Sequence, residues 1–253
     1  MSRLYDGVAN VLRHAYDARI DAPAILNLET DFPDGRNFIE QWKIIRDEAR
    51  TVAEHVDAVP RFHEVMAEQE SISANDGRDW RIFILKAYGV EFPDRMAKCP
   101  ALRRLVLSSP DVVSASFSLM APYKRIPAHR GPFRGILRFT MPLMMPRGDD
   151  GRPAAVLKIG RDELRLAEGE AVLWDDTCIH ETWNESNEWR IVLLLDVRRH
   201  GLPADLRLLS QSVVFLAGTY IRWHGYAASL EAQRRKAGAV FRRFWKLRLQ
   251  NQR

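Results

Sequence analysis

The chain has 253 residues, of which 46% are hydrophobic and 28% charged. This composition is typical of a globular protein with one substantial core or two small ones, and it excludes a largely disordered chain. Its two cysteines, Cys99 and Cys178, have no framework spacing, so we expect reduced thiols in a cytoplasmic protein. We expect neither a secretory leader nor an apolar run long enough to span a bilayer.

The net charge of +5 is concentrated at the C-terminal end. Residues 232–253 contain eight arginines and lysines and no acid, which leaves the rest of the chain at −3. The pattern predicts a mildly acidic domain that carries a basic arm. A nucleic-acid partner is therefore not favoured, despite the high overall isoelectric point.

The N-terminal third is predicted to be mainly helical. Apolar residues recur at helical spacing through Asn37–Glu54, and charged residues fill the other face. Pro60 ends this pattern. Trp80–Ala87 is rich in β-forming residues and predicts a strand, and Leu102–Leu107 predicts a further helix.

The middle third predicts many short strands separated by turns, such as the turn at Gly148–Gly151. The predicted strands are Val112–Met120, Gly135–Met141, Ala154–Ile159, Glu163–Leu166, Glu170–Trp174 and Arg190–Asp196. This spacing indicates an antiparallel sandwich or barrel.

The predicted fold class is α+β, an all-β core with helical flanks. We expect one domain over residues 1–203, helical to about residue 110 with the β core at about 111–199, followed by a basic amphipathic helical tail over 204–253.

That tail has two main interpretations. Its aromatic residues, among them Phe241, Phe244 and Trp245, recur near helical spacing between arginines. They either pack against the β core, or lie in the headgroup layer of an anionic membrane. The second interpretation would make residues 232–253 a peripheral membrane contact on the inner face of the membrane.

Two histidines stand out among the seven. His129 lies between Pro127 and Gly131. His180 lies 51 residues after His129 and follows Asp175 and Asp176. Non-haem Fe(II) is commonly held by imidazoles with one carboxylate, on a face that leaves positions open for cosubstrate and dioxygen. The spacing suits such a site on strand ends of a jelly roll, although Gly131 stands where a His-x-Asp sequence has its acid. Arg190 offers a planar two-pronged donor for the carboxylate of an α-keto-acid cosubstrate.

From Trp42 to Val197 the chain resembles the aspartyl/asparaginyl β-hydroxylase family of Fe(II)/2-oxoglutarate oxygenases, which includes a bacterial lipid A hydroxylase branch. The resemblance rests on several segments that occur in order. They are residues 42–49, 98–100, 117–120, 129–138, 168–170, 175–177, 180–184 and 190–197. Together they are specific, whereas each alone is weak.

The resemblance implies a double-stranded β-helix (jelly roll) and assigns roles to individual residues. His129 and His180 would be the iron ligands, and Gly131 matches family members that lack the carboxylate. Arg190 would bind the C5 carboxylate of 2-oxoglutarate. Ser118 and Arg138 match further cosubstrate contacts. Thr140 stands where the family usually has histidine, and its hydroxyl is expected to replace one of the hydrogen bonds of that imidazole to the cosubstrate.

Asp175 and Asp176 are expected to fix a histidine or a turn beside the metal rather than to bind it. With iron and 2-oxoglutarate bound, the implied reaction uses dioxygen to hydroxylate an unactivated carbon. The expected acceptor is an aspartyl or asparaginyl side chain, which Gly131 favours. The alternative is C2 of a lipid acyl chain, as in lipid A or ornithine lipids, which the sequence of residues 129–138 favours. A non-catalytic jelly-roll binding protein is the third possibility.

Overall fold

The computed structural model describes residues 3–224, in which helices precede and follow two β-sheets. The helices are α1 (Arg3–Asp17), α2 (Leu28–Asp31), α3 (Gly35–Glu40), α4 (Trp42–Ala53), α5 (Phe62–Val65), α6 (Glu70–Ser73), α7 (Pro93–Met96), α8 (Pro100–Ser108) and α9 (residues 204–224), with 3₁₀ turns at Val56–Ala58 and Ala67–Gln69. The strands are β1 (Ile25–Leu26), β2 (Trp80–Ala87), β3 (Val90–Glu91), β4 (Val112–Met120), β5 (Arg125–His129), β6 (Ile136–Met144), β7 (Ala155–Ile159), β8 (Asp162–Leu164), β9 (Val172–Trp174), β10 (His180–Asn184) and β11 (Arg190–Arg198).

The strands form a large sheet of order β1-β9-β6-β11-β4-β2-β3 and a small sheet of order β5-β10-β7-β8, with antiparallel pairing between neighbours. The inner faces of the sheets touch: Leu157 and Ile159 of β7 pack with Val172 and Trp174 of β9. This arrangement confirms the predicted fold class, a jelly-roll core with helical flanks.

The large sheet is apolar outside and partly polar inside, because side chains alternate between the faces of a strand. On its outer face, Phe117, Phe139 and Leu193 join a core with α4 and α8. On its inner face lie Ser118, Thr140, Arg190 and other polar side chains. The outer face therefore supplies most of the core, while the inner face is left for the site.

The helix predicted over Asn37–Glu54 is divided. Gln41 has φ −103° and ψ 14°, which ends α3 and begins α4. Phe38 of α3 and Ile45 of α4 nevertheless belong to the same core. The apolar spacing therefore continues across the break, which is why one helix was predicted.

Sequence reasoning gave no bounds for β5 and β10, although it expected both histidines at strand ends. Pro127 lies inside β5, and proline weakens a strand prediction because it cannot donate to the ladder. It is tolerated here because β5 is an edge strand of the small sheet. The predicted strands at 135–141 and 190–196 are each longer in the structure, ending at Met144 and Arg198.

The first part of the predicted tail is a helix that packs on the domain. Leu206 and Val214 of α9 are buried with Tyr16 and Phe133. The basic segment 232–253 lies outside the described residues, and the domain boundary at 203 stays a prediction. Across residues 3–224, no helix combines the length and apolar character needed to cross a membrane.

Candidate active site

The two histidines singled out by the sequence are neighbours in space. His129 ends β5, His180 begins β10, and the two residues are direct partners in the antiparallel register. Their ring centroids are 4.1 Å apart with an interplanar angle of 58°. Residues 51 positions apart in the chain therefore meet at one point of the small sheet.

Each imidazole is fixed in one tautomer by a backbone carbonyl. Nδ1 of His129 donates to the carbonyl oxygen of Pro127 at 2.8 Å, and Nδ1 of His180 donates to that of Cys178 at 2.9 Å. A ring with its proton on Nδ1 keeps a lone pair on Nε2, which is the form that binds metal ions. The same two-residue spacing to the carbonyl gives both rings the same geometry.

The site also keeps both rings neutral. Burial lowers the pKa of His129, and it lowers the pKa of His180 well below the ordinary value. The neighbouring His129 ring and the Arg138 guanidinium depress the pKa of His180 further. Neutral imidazoles are required for metal ligation because a protonated ring has no free lone pair.

The space directly beside Gly131 is occupied by the carboxyl group of another residue. A Cβ on Gly131 would lie 2.3–2.5 Å from the carboxyl atoms of Asp176, and the Gly131 amide donates to the Asp176 carbonyl at 2.7 Å. Oδ1 of Asp176 is buried and has no hydrogen-bond partner within the described chain. Glycine is therefore required at 131 to admit the Asp176 carboxyl group.

Asp176 belongs to a buried charge cluster. Arg138 lies 3.1 Å from Oδ2 of Asp176 and 2.9 Å from Oδ1 of Asp196. Burial raises the pKa of Asp176 to about 6 although Arg138 pulls in the opposite direction. Burial alone would lower the pKa of Arg138, but Asp196 and Asp176 outweigh it and raise that pKa. Arg138, predicted as a cosubstrate contact, is thus held by two carboxylates.

Asp175 organises the turn that leads into β10. Its Oδ1 accepts from the amide of Thr177 at 3.0 Å and from the Thr177 hydroxyl at 2.6 Å. Its Oδ2 accepts from Nε of Arg134 at 2.7 Å and also from Arg199. Because the turn ends at His180, Asp175 positions that histidine indirectly, in line with its predicted supporting role.

Arg190 is a buried cation without a counter-ion in the described part of the chain. Its side chain is on the inner face of β11, with the residue 6% exposed, and Nη1 contacts the sulfur of Met120 at 3.3 Å. Nε has no hydrogen-bond partner within residues 3–224. Burial lowers the pKa of Arg190 to about 10. An unpaired buried guanidinium is costly, so its donors are expected to meet an anionic ligand.

Ser118 and Thr140, the other two predicted cosubstrate contacts, line the same interior. The indole N–H of Trp80 donates to the Ser118 hydroxyl at 3.0 Å, and that of Trp174 donates to the Thr140 hydroxyl at 3.0 Å. Each hydroxyl keeps its own proton to donate. Trp174 also packs edge-on against His180, with centroids 4.7 Å apart. Sequence reasoning missed both tryptophans and Asp196 as parts of the site.

Within residues 3–224, no group of three or more histidine, cysteine or acidic side chains is arranged to hold a metal ion. The two imidazoles nevertheless fit a metal with few protein ligands, because both present Nε2 from adjacent strands. The unpartnered Oδ1 of Asp176 and Nε of Arg190 are further polar groups that the protein leaves free inside the site.

A family profile described as aspartyl/asparaginyl beta-hydroxylase matches residues 39–200, which include both histidines and Arg190. The chain belongs to this family. It is therefore an enzyme of the hydroxylase class, and the possibility of a non-catalytic binding protein is not supported.

Proteins similar to this β-hydroxylase family member are named for different substrates. An ornithine lipid ester-linked acyl 2-hydroxylase of Rhizobium tropici is 30% identical over 79% of this chain and 69% of its own length. The human aspartyl/asparaginyl beta-hydroxylase is 23% identical over 64% of this chain, which spans only 22% of the human protein. A solved prolyl-4-hydroxylase of Pseudomonas putida aligns with a TM-score of 0.40 at 14% identity, covering 78% of this chain and 100% of its own.

The contact between residue 131 and Asp176 can be tested by a double-mutant cycle. Gly131→Ala is expected to lower the free energy of unfolding by about 1–3 kcal/mol, because the new methyl group must displace the Asp176 carboxyl. In an Asp176→Ala background this penalty is expected to shrink by at least about 1 kcal/mol. Urea denaturation measures both values.

Gly7→Ala is the matched control for that cycle, because a Cβ there meets nothing within 4 Å on helix α1. It adds the same methyl group and is expected to leave stability unchanged or slightly higher. An equal penalty for Gly131→Ala with and without Asp176 would contradict the assignment.

Proposed function

We propose that this family member is an Fe(II)- and 2-oxoglutarate-dependent hydroxylase whose iron is held by His129 and His180. One observation carries the proposal: two neutral imidazoles with free Nε2 atoms share an interior with a buried, unpaired arginine. The two imidazoles suit a divalent transition metal, and the arginine suits a carboxylate. Family membership supports the same reaction class.

Arg190 is proposed to bind the C5 carboxylate of 2-oxoglutarate. Its guanidinium lies on the inner face of β11 beside Met120, with Nε available. Ser118 and Thr140 carry hydroxyl protons in the same interior, where they can donate to the cosubstrate. Since Thr140 accepts from Trp174, which also contacts His180, a group bound at Thr140 is linked to the metal ligand through one indole ring.

Iron with 2-oxoglutarate would supply the oxidation of an unactivated C–H bond by dioxygen, with succinate and carbon dioxide as co-products. The chain's own part is to bind, orient and exclude water. Leu157, Ile159 and Val172 form apolar walls beside Trp174. Asp176 is proposed to support the metal from the space beside Gly131, as an acceptor for a hydrogen-bond donor in that position.

For the acceptor, we propose C2 of a lipid acyl chain. The supporting observation is the similarity to the Rhizobium tropici ornithine lipid hydroxylase, at 30% identity over most of this chain. Hydroxylation of an aspartyl or asparaginyl side chain, which the sequence favoured first, is the second candidate. It is supported by Gly131 and by the similarity to the human β-hydroxylase, at 23% identity over a shorter region.

The metal ligands can be tested separately from turnover. His129→Ala and His180→Ala are each expected to weaken Fe(II) binding by more than the roughly 10- to 100-fold that the loss of an outer-shell partner costs, since each removes one of two protein ligands. Iron is measured by elemental analysis after anaerobic loading and desalting. His200→Ala is the control, because that ring is exposed and bonds only to Asp111 among the described residues. Full iron content in both single variants would remove the ligand assignment.

Arg190→Met separates a cosubstrate-binding arginine from a structural one. We expect 2-oxoglutarate affinity to fall by about 10- to 100-fold, because a charge-assisted bond is lost. The melting temperature without ligands is expected to stay equal or to rise, because the substitution removes a buried charge that has no counter-ion in residues 3–224. Titration calorimetry and thermal denaturation measure the two effects.

Arg36→Met serves as the control for Arg190→Met, since Arg36 is an exposed arginine whose side chain pairs with Glu29. It is expected to change neither quantity. If Arg190→Met instead lowered the melting temperature and left 2-oxoglutarate affinity intact, the arginine would be structural.

The acceptor is tested by mass spectrometry of lipid and peptide fractions from cells that express the wild-type chain or its His180→Ala variant. We expect a mass increase of one oxygen atom on acyl chains in the lipid fraction, only with the wild type. The same increase confined to aspartyl or asparaginyl residues of peptides would favour the second candidate.

A further inference from the structure

Helix α9 carries an apolar side that nothing in the described chain covers. Its members are large side chains whose residues are each 62–71% exposed: Leu208, Phe215, Leu216, Tyr220 and Trp223. At 3.6 residues per turn these positions fall within a sector of about 140°. We name these five residues the α9 face.

The α9 face cannot turn inward, because the opposite side of the helix is fixed to the domain. Leu206 and Val214 are buried against Tyr16 and Phe133. The Ser210 hydroxyl donates to the carbonyl oxygen of Gly135 at 3.0 Å. The α9 face therefore points away from the described domain and is not one of two orientations.

The net charge of the sequence from α9 onward indicates which kind of partner covers this face. From residue 204, where α9 begins, to the end of the chain, the sequence contains ten arginines and lysines and two acids, Asp205 and Glu231. Asp205 pairs with Arg19 of the domain. Arg207 and Arg222 lie on α9 itself and are exposed. The α9 face thus belongs to a part of the sequence with a strong net positive charge, whereas the remainder of the sequence is acidic. A second copy seated face to face would bring two cationic regions together, which disfavours a dimer here.

We propose that the α9 face seats on the surface of a bilayer that contains anionic phospholipids. Leucine and phenylalanine enter the acyl boundary, while tryptophan and tyrosine suit the headgroup level because their rings have an apolar body and a polar tip. Arg207 and Arg222, which are exposed on the same helix, then meet lipid phosphates. This is the geometry of an interfacial helix that lies on a membrane without crossing it.

This seating would also fix how the active site faces the membrane. Ser210 and Phe133 tie α9 to the segment 130–136, which directly follows the proposed iron ligand His129. The side chain of Arg13 on α1 donates to the carbonyl oxygen of Gly131 at 2.8 Å from the same helical layer. The α9 proposal does not depend on which acceptor is hydroxylated, nor on iron binding.

The test uses the full chain and vesicle sedimentation. Wild-type protein is expected to bind vesicles of mixed phosphatidylcholine and phosphatidylglycerol, and to bind pure phosphatidylcholine vesicles much more weakly. The double variant Leu216→Ser/Trp223→Ser is expected to bind the anionic vesicles at least about tenfold more weakly, because two apolar side chains that would be buried in the bilayer are lost.

Leu107→Ser is the matched control: it removes an exposed leucine, 46% exposed, from helix α8, which packs with α4. Its vesicle affinity is expected to equal that of the wild type. Circular dichroism and melting temperature check that the double variant folds, which exposed positions should allow.

Two results would overturn the proposal. Equal binding of wild type and double variant would show that basic residues act without the α9 face. Absence of wild-type binding would exclude a membrane as the occupant of the α9 face. Light scattering would then distinguish a dimer from a monomer. Neither result would affect the metal and cosubstrate predictions, whose measurements contain no lipid.

Discussion

The antiparallel pairing of β5 with β10 is the contact on which the site depends. It places His129 directly opposite His180, so the distance between the two rings is set by the ladder rather than by flexible loops. Backbone carbonyls two residues earlier then fix both tautomers. Burial completes the arrangement by disfavouring protonation. Backbone geometry and desolvation together thus create two neutral imidazoles with lone pairs on Nε2, the form that the proposed metal requires, with glycine in the acid position of a His-x-Asp sequence.

The large sheet has an apolar outer face and a partly polar inner face, and this difference explains how such a polar interior is stable. Phe117, Phe139 and Leu193 pack against helices on the outer face, where apolar burial is the dominant favourable contribution to folding. The inner face tolerates Arg190 with a depressed pKa and no counter-ion in the described chain. This unpaired charge lowers the stability of the ligand-free protein. Apolar packing of the helices on the outer face of the large sheet offsets that cost.

Much of the fold and the meeting of the two histidines could be predicted because both depend on local signals. Strand β4 has the β-forming pattern that the sequence predicts, and the paired histidines have distinctive neighbours. The role of Asp176 at residue 131 could not be predicted, since it depends on how close two loops approach. Nor could the partners of Arg138, which come from β11 and from the turn after β9. Charges that are distant in sequence meet only through the sheet register.

The Gly131–Asp176 pair changes the electrostatics of the site, not only its shape. The Asp176 carboxyl lies where a side chain at residue 131 would begin. It shares its charge with Arg138, and burial raises its pKa to about 6. Among the described residues, Arg138 is paired with both Asp176 and Asp196, whereas Arg190 has no carboxylate partner. In the proposed loaded site, the C5 carboxylate of 2-oxoglutarate would supply the charge that Arg190 lacks. Buried charges are tolerated best when they are paired, and glycine at residue 131 leaves the room that the paired Asp176 carboxyl occupies.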